Sequence, residues 1–109
     1  MEPANELLPG TLDLLILRTL APEPMHGWAV ARRIQQASRT VFRIPQGSLY
    51  PALYRLERRH FLRAEWRQSD TGRPAKFYSL TAAGRRHLDK ERADWRRLSG
   101  AVNLVLGES

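Results

Sequence analysis

The sequence predicts a mainly helical α+β fold: three short helices, a small β-hairpin and one long C-terminal helix. Three observations predict it. Apolar residues recur at helical spacing in three segments between positions 12 and 61. The period then switches from 3.6 to 2 on both sides of a polar turn cluster at 68–75. In the last stretch Leu88, Trp95 and Val102 fall seven apart, as do Leu98 and Val105.

The first helix follows a break at Pro9-Gly10, with Thr11 as its expected cap. Leu12, Leu15, Ile16 and Leu20 form one apolar face, and Leu14 and Leu17 add a second. A helix apolar on two sides is expected to be covered on two sides, the second by another subunit at Leu12. Pro22 and Pro24 stop it, since two prolines in three residues cannot continue a helix.

The second helix is expected over His26–Ala37, with Trp28, Ala29, Val30, Ile34 and Ala37 inward and Arg32, Arg33, Gln35 and Gln36 outward. Val41, Phe42 and Ile44 suggest a short strand. The third helix is expected over Ser48–His60, pinned by Leu49, Leu53, Leu56 and Phe61, with Ser48 as N-cap. That register puts Pro51 in the first turn, where its missing N–H is harmless.

Leu62, Ala64 and Trp66 alternate with Arg63, Glu65 and Arg67, which reads as a strand. Residues 76–80 supply its partner. Trp28 and Trp66 are expected in the core. The last helix starts near Thr81 and reaches about Leu106, roughly 39 Å at 1.5 Å per residue. A core of this size cannot cover such a length, so a second copy is expected along Leu88, Trp95, Leu98, Val102 and Val105. Glu91 interrupts that seam.

A chain of 109 residues holds one domain. We expect one compact unit, with 1–80 as the helix-and-hairpin part and 81–109 as the dimerisation helix. No apolar run approaches a membrane span. The acidic start has no signal core, and there is no cysteine, so a cytoplasmic protein without disulfides is expected. His26, His60 and His87 lack ligand spacing, so no metal or other cofactor is expected. His26, at a helix start, reads as packing or capping. No serine sits on a glycine elbow and no Gly-rich phosphate loop occurs, so the chain does not read as an enzyme.

The formal net charge is +7, and its distribution is uneven. Residues 1–30 carry −3, residues 31–76 carry +8 and residues 77–109 carry +2. Of the 18 basic side chains 16 are arginine, whose planar fork suits phosphate and guanine. Helix, helix, helix and basic hairpin is the winged helix-turn-helix order, in which the third helix enters the major groove of double-stranded DNA. Gln46, Ser48, Tyr50, Tyr54 and Arg55 are the expected contacts of that helix, and Arg73 and Lys76 those of the hairpin. The tyrosines have a structural alternative, packing against the second helix. The whole chain has one too: a basic winged helix that binds an acidic protein partner.

Three runs carry a family likeness: Met25-His26-Gly27-Trp28, the stretch from Gly47 through Leu49-Tyr50-Pro51-Ala52-Leu53 to Glu57, and the stretch from Gly72 through Tyr78-Ser79-Leu80-Thr81 to Gly84. Over residues 8–106 the chain resembles the PadR family of bacterial transcriptional regulators. The resemblance implies a winged helix, a homodimer built on the C-terminal helix, and repression by occupying a palindromic promoter site. It further implies, in some members, release by flat aromatic effectors that meet tryptophans at the dimer interface, which singles out Trp95. The single C-terminal helix matches the short-tailed branch.

Overall fold

The computed structural model describes residues 10–108; Pro9 and the acidic start lie outside them. Helix α1 spans Thr11–Leu20 and is followed by a two-residue strand β1, Met25–His26. Helices α2 (Gly27–Ala37) and α3 (Gln46–Arg58) come next, then strands β2 (Leu62–Gln68) and β3 (Pro74–Leu80), and α4 (Ala82–Leu106) closes the chain. The three strands form one antiparallel sheet in the order β1-β3-β2. This is the expected fold class, a mainly helical winged helix with a long last helix.

The core is built by the predicted stripes. Ile16, Leu17 and Leu20 of α1 meet Val30 and Ile34 of α2 and Leu49, Leu53 and Leu56 of α3, all at most 4% exposed. Each such side chain contributes about 1.5–3 kcal/mol by leaving water. Leu12, Leu14 and Leu15 are half-buried against this cluster.

Several local expectations are corrected. Gly10, not Thr11, caps α1, in a left-handed conformation with φ +87°. No strand forms at 41–44; Phe42 and Ile44 are half-buried loop residues packed on the core. The sheet's third strand is instead β1, ahead of α2 and too short for periodicity to register, pairing Met25 with Tyr78 and His26 with Phe77. His26 then caps α2, its Nδ1 accepting the Ala29 N–H at 3.2 Å. Only Gly27, Val30 and Ile34 of α2 are buried. Trp28 is 53% exposed and Trp66 69%, so neither fills the core. Trp66 keeps the strand alternation but sits where β2 has run beyond the helices.

Helix α3 starts three residues earlier than a Ser48 cap implies. Pro45 is its N-cap, and the N–H groups of Ser48 and Leu49 both donate to the Pro45 carbonyl, at 3.0 Å. Pro51 therefore lies in the second turn, and the Gly47 carbonyl lacks the N–H that would meet it. Gly47 is exposed, so water can satisfy that carbonyl. Burial of the leucine stripe outweighed the capping preference.

Where α3 ends, the chain is clamped to the start of α4. The Thr81 hydroxyl donates to the His60 carbonyl at 2.6 Å and accepts the Gly84 N–H at 2.9 Å. Thr81 N–H donates to Phe61 O at 3.1 Å. Leu88, expected on the seam with a second copy, is 2% exposed and belongs to the chain's own core. Beyond it α4 leaves the domain: Trp95, Leu98, Val102 and Val105 are 45%, 56%, 47% and 87% exposed.

Candidate nucleic-acid interface

Burial of Leu49, Ala52, Leu53 and Leu56 decides which side of α3 faces out. The opposite side presents Gly47, Tyr50, Pro51, Tyr54 and Arg58, all exposed. At 3.6 residues per turn these five fall within an arc of about 100°. Tyr54 stands free, with the Arg58 guanidinium 5.7 Å from its ring centre. Gln46 and Ser48 lie exposed in the first turn.

Tyr50 packs against α2 and still reaches solvent. Its ring rests on the first residue of α2, where a Cβ on Gly27 would come within 2.8 Å of Tyr50 Cε1. The lack of a side chain at Gly27 therefore makes room for that ring, while 42% of Tyr50 remains exposed. Arg55 is engaged elsewhere. Its Nη2 meets Asp13 Oδ1 at 2.8 Å and ties α3 to α1, though more than half of its side chain is exposed. An exposed pair like this contributes about 0–1 kcal/mol, so a phosphate can compete for the guanidinium.

The hairpin is the wing. Its turn is held by the Ser69 N–H donating to Arg73 O at 2.8 Å and the Gly72 N–H donating to Ser69 O at 2.9 Å. Gly72 has φ +85°, a conformation that favours glycine. Arg73 emerges exposed beside it. Lys76 points back toward α3, its Nζ 3.4 Å from Glu57 Oε1 and 5.6 Å from the Tyr78 ring centre. Burial pushes the Tyr78 phenol above its ordinary range, against the pull of the Lys76 ammonium. Tyr78 thus stays neutral at physiological pH.

The structure brings Gln46, Ser48, Tyr50 and Tyr54 together on α3, with Arg73 and Lys76 on the wing beside them. Trp28, Arg32 and Arg33 of α2 are exposed as well, although the sequence pattern assigns them to the core or to plain solvated surface. No local signal marks these three, because the uncovered edge of β3 that they face belongs to a distant segment.

A sequence profile for the transcriptional regulator PadR-like family matches residues 16–90, from α1 into α4. The chain belongs to the PadR-like family of transcriptional regulators. It is 39% identical over 103 residues to the transcriptional regulator Rv3488 of Mycobacterium tuberculosis, covering 94% of this chain and 90% of that protein. It superposes with a TM-score of 0.77 on a PadR family transcriptional regulator from Eggerthella lenta, at 33% identity over 89% of this chain and 82% of the other. A PadR-like transcriptional regulator from Bacillus cereus gives a TM-score of 0.79 at 25% identity, over 92% of this chain and 95% of the other. This PadR-like chain is therefore a DNA-binding regulator of transcription and not an enzyme. No helix among the described residues is long and apolar enough to cross a membrane.

Proposed function

We propose that this PadR-like regulator acts as a homodimeric repressor of a palindromic promoter site. The single observation that carries this reading is the pairing of two unfinished surfaces. One is the exposed polar arc of α3 beside a cationic wing. The other is an apolar stripe on α4 that the chain does not cover. A contiguous exposed apolar strip marks an interaction site. A second copy packed on that stripe would set two α3 helices in successive major grooves, about 34 Å apart. Gln46, Ser48, Tyr50 and Tyr54 would enter the groove, and Arg73, Lys76 and a released Arg55 would meet phosphate.

Selection of bound fragments from the source genome tests the function, with a palindrome upstream of genes as the expected outcome. Tyr54→Ala and Arg73→Ala should each weaken binding of the selected duplex about tenfold, in line with about 1–3 kcal/mol for one interaction with DNA. Arg73→Ala should also flatten the salt dependence by about one phosphate equivalent. Unchanged affinity in both variants would refute this contact surface.

The effector reading belongs to the same proposal. Trp95 stands on the α4 stripe, where two copies would bring two indoles near each other. Flat aromatic molecules that release DNA should quench its fluorescence in a Trp28→Phe, Trp66→Phe background. A broad panel without quenching rejects Trp95 as the site.

A further inference from the structure

Between the first turns of α2 and the wing lies a cleft of about 990 Å³. It exists because β1 is so short. Strand β1 covers β3 only at Phe77 and Tyr78, so toward Pro74 that edge of β3 has no strand beside it. The chain instead turns at His26 into α2, which faces the uncovered edge across the gap. The α2 side presents Trp28, Arg32 and Arg33, and the wing side presents Trp66, Arg73 and Lys76. Tyr50 of α3 joins the lining, so the cleft is continuous with the exposed arc of α3.

We propose that this cleft cradles one sugar-phosphate strand of the duplex, with Arg32 and Arg33 as phosphate contacts facing those of the wing. The inference rests on the DNA-binding reading above and adds α2 to the contact surface.

Charge is the first support. Four cations line the cleft against two carboxylates, Glu23 and Asp70. Among the described residues, Arg32, Arg33 and Arg73 have no carboxylate within ion-pair distance. The second support is the pair of exposed indoles, one on each side. Indole offers an apolar face to sugar and an N–H donor to phosphate oxygen. The Arg32 guanidinium lies 4.8 Å from the Trp28 ring centre, which holds its fork in place at the cleft. Trp28 is in turn stacked on the capping residue His26, with ring centres 6.3 Å apart. Continuity is the third. Tyr50 of α3 lines the cleft together with α2 and the wing, so a strand bordering the groove entered by α3 meets its mouth.

Salt titrations with a mixed-sequence duplex of about 30 base pairs, between roughly 50 and 200 mM salt, test the proposal. In the doubly substituted R32A/R33A protein the slope of log affinity against log salt should shrink by about two per chain, near one for each phosphate no longer neutralised. R32K/R33K should keep the slope. Both sites are exposed, so circular dichroism should show intact helices. A protein carrying Trp66→Phe and Trp95→Phe leaves Trp28 as the sole indole, and the duplex should quench it. An unchanged slope in R32A/R33A, or an unquenched Trp28, overturns the cleft assignment while wild-type binding stands. Quenching of Trp28 by a flat aromatic carboxylate and not by duplex would assign the cleft to a small molecule, and overturns it too. Failure of the wild-type protein to bind any duplex would instead remove the DNA-binding reading beneath it.

Discussion

Gly84→Ala is expected to destabilise the protein by about 3 kcal/mol or more and to lower its Tm by more than about 10 °C. A Cβ built on Gly84 would collide with the carbonyl oxygen of Phe61 and lie 3.0 Å from its carbonyl carbon. The obstacle is backbone, which cannot swing aside as a side chain can. The same backbone is fixed on both sides. Thr81 holds His60 through its hydroxyl and Phe61 through its N–H, while Gly84 N–H is bound to that hydroxyl. Relief would require α4 to slide away from the end of α3, exposing Leu88 and parting Thr81 from its partners. Gly100→Ala on the same helix is the control. Nothing lies within 4 Å of its added Cβ, so it should stabilise α4 by about 0.5–1 kcal/mol. Thermal unfolding of the two variants checks the contrast. A Gly84→Ala protein that melts with the wild type would show that the α3–α4 junction is loose.

The second large effect concerns assembly. Replacing Leu98 and Val102 together with glutamate should yield a folded monomer and weaken binding of the palindromic duplex by about a hundredfold or more. Both side chains are about half exposed or more in the single chain, so their replacement should spare the domain core. Carboxylates buried between two apolar stripes are very unfavourable, which is why the dimer should not form. Two linked reading heads gain about 10²–10⁴ in avidity over one, and the monomer forfeits that factor. Light scattering gives the mass and a binding titration the affinity. A double variant that stays dimeric would place the interface away from this stripe.

The ion-paired face of α4 supports this assignment of sides. Asp94 receives Lys90 at 3.0 Å and Arg97 at 3.2 Å, and these two cations hold its carboxyl below the ordinary carboxylate range. That face is satisfied in water by its own charges, whereas the stripe through Trp95, Leu98 and Val102 has no such partners on the chain itself. A charge network and an apolar strip on different faces of one helix point a second copy to the strip.

Helix positions are legible in the sequence because their cause is local and periodic. Leu49, Leu53 and Leu56 repeat on one face of α3 whatever surrounds them, and Ile16 and Leu20 do the same in α1. The polar turn at 68–75 and the switch to period 2 announce the wing for the same reason. Unequal spacing of charge marks the middle of the chain as the surface for an anionic partner. The runs around Pro51 and Gly84 carry the family likeness.

What is illegible depends on contacts between segments far apart in sequence. Strand β1 exists only because Tyr78 and Phe77 lie beside Met25 and His26, across about fifty residues of chain. Trp28 and Trp66 look like core because large aromatics are usually well buried. Trp28 lies on the side of α2 turned away from Val30 and Ile34, and Trp66 in the exposed outer half of β2. Leu88 fits a seam and a core equally well by spacing, and packing gives it to the core. Arg55 reads as a free cation in the sequence, and only the fold sets Asp13 against it.

Side-chain period and local charge thus suffice for the order of the four helices and the hairpin, the inward leucine faces of α1 and α3 and the concentration of cations in the middle of the chain. Each of these is specified without reference to any other segment. Folding in three dimensions adds the open cleft across which α2 and the wing face each other. It also explains Gly27 and Gly84, which are glycines because a ring and a carbonyl occupy the space their side chains would fill. Those are distances between non-neighbouring segments, and no local pattern encodes them.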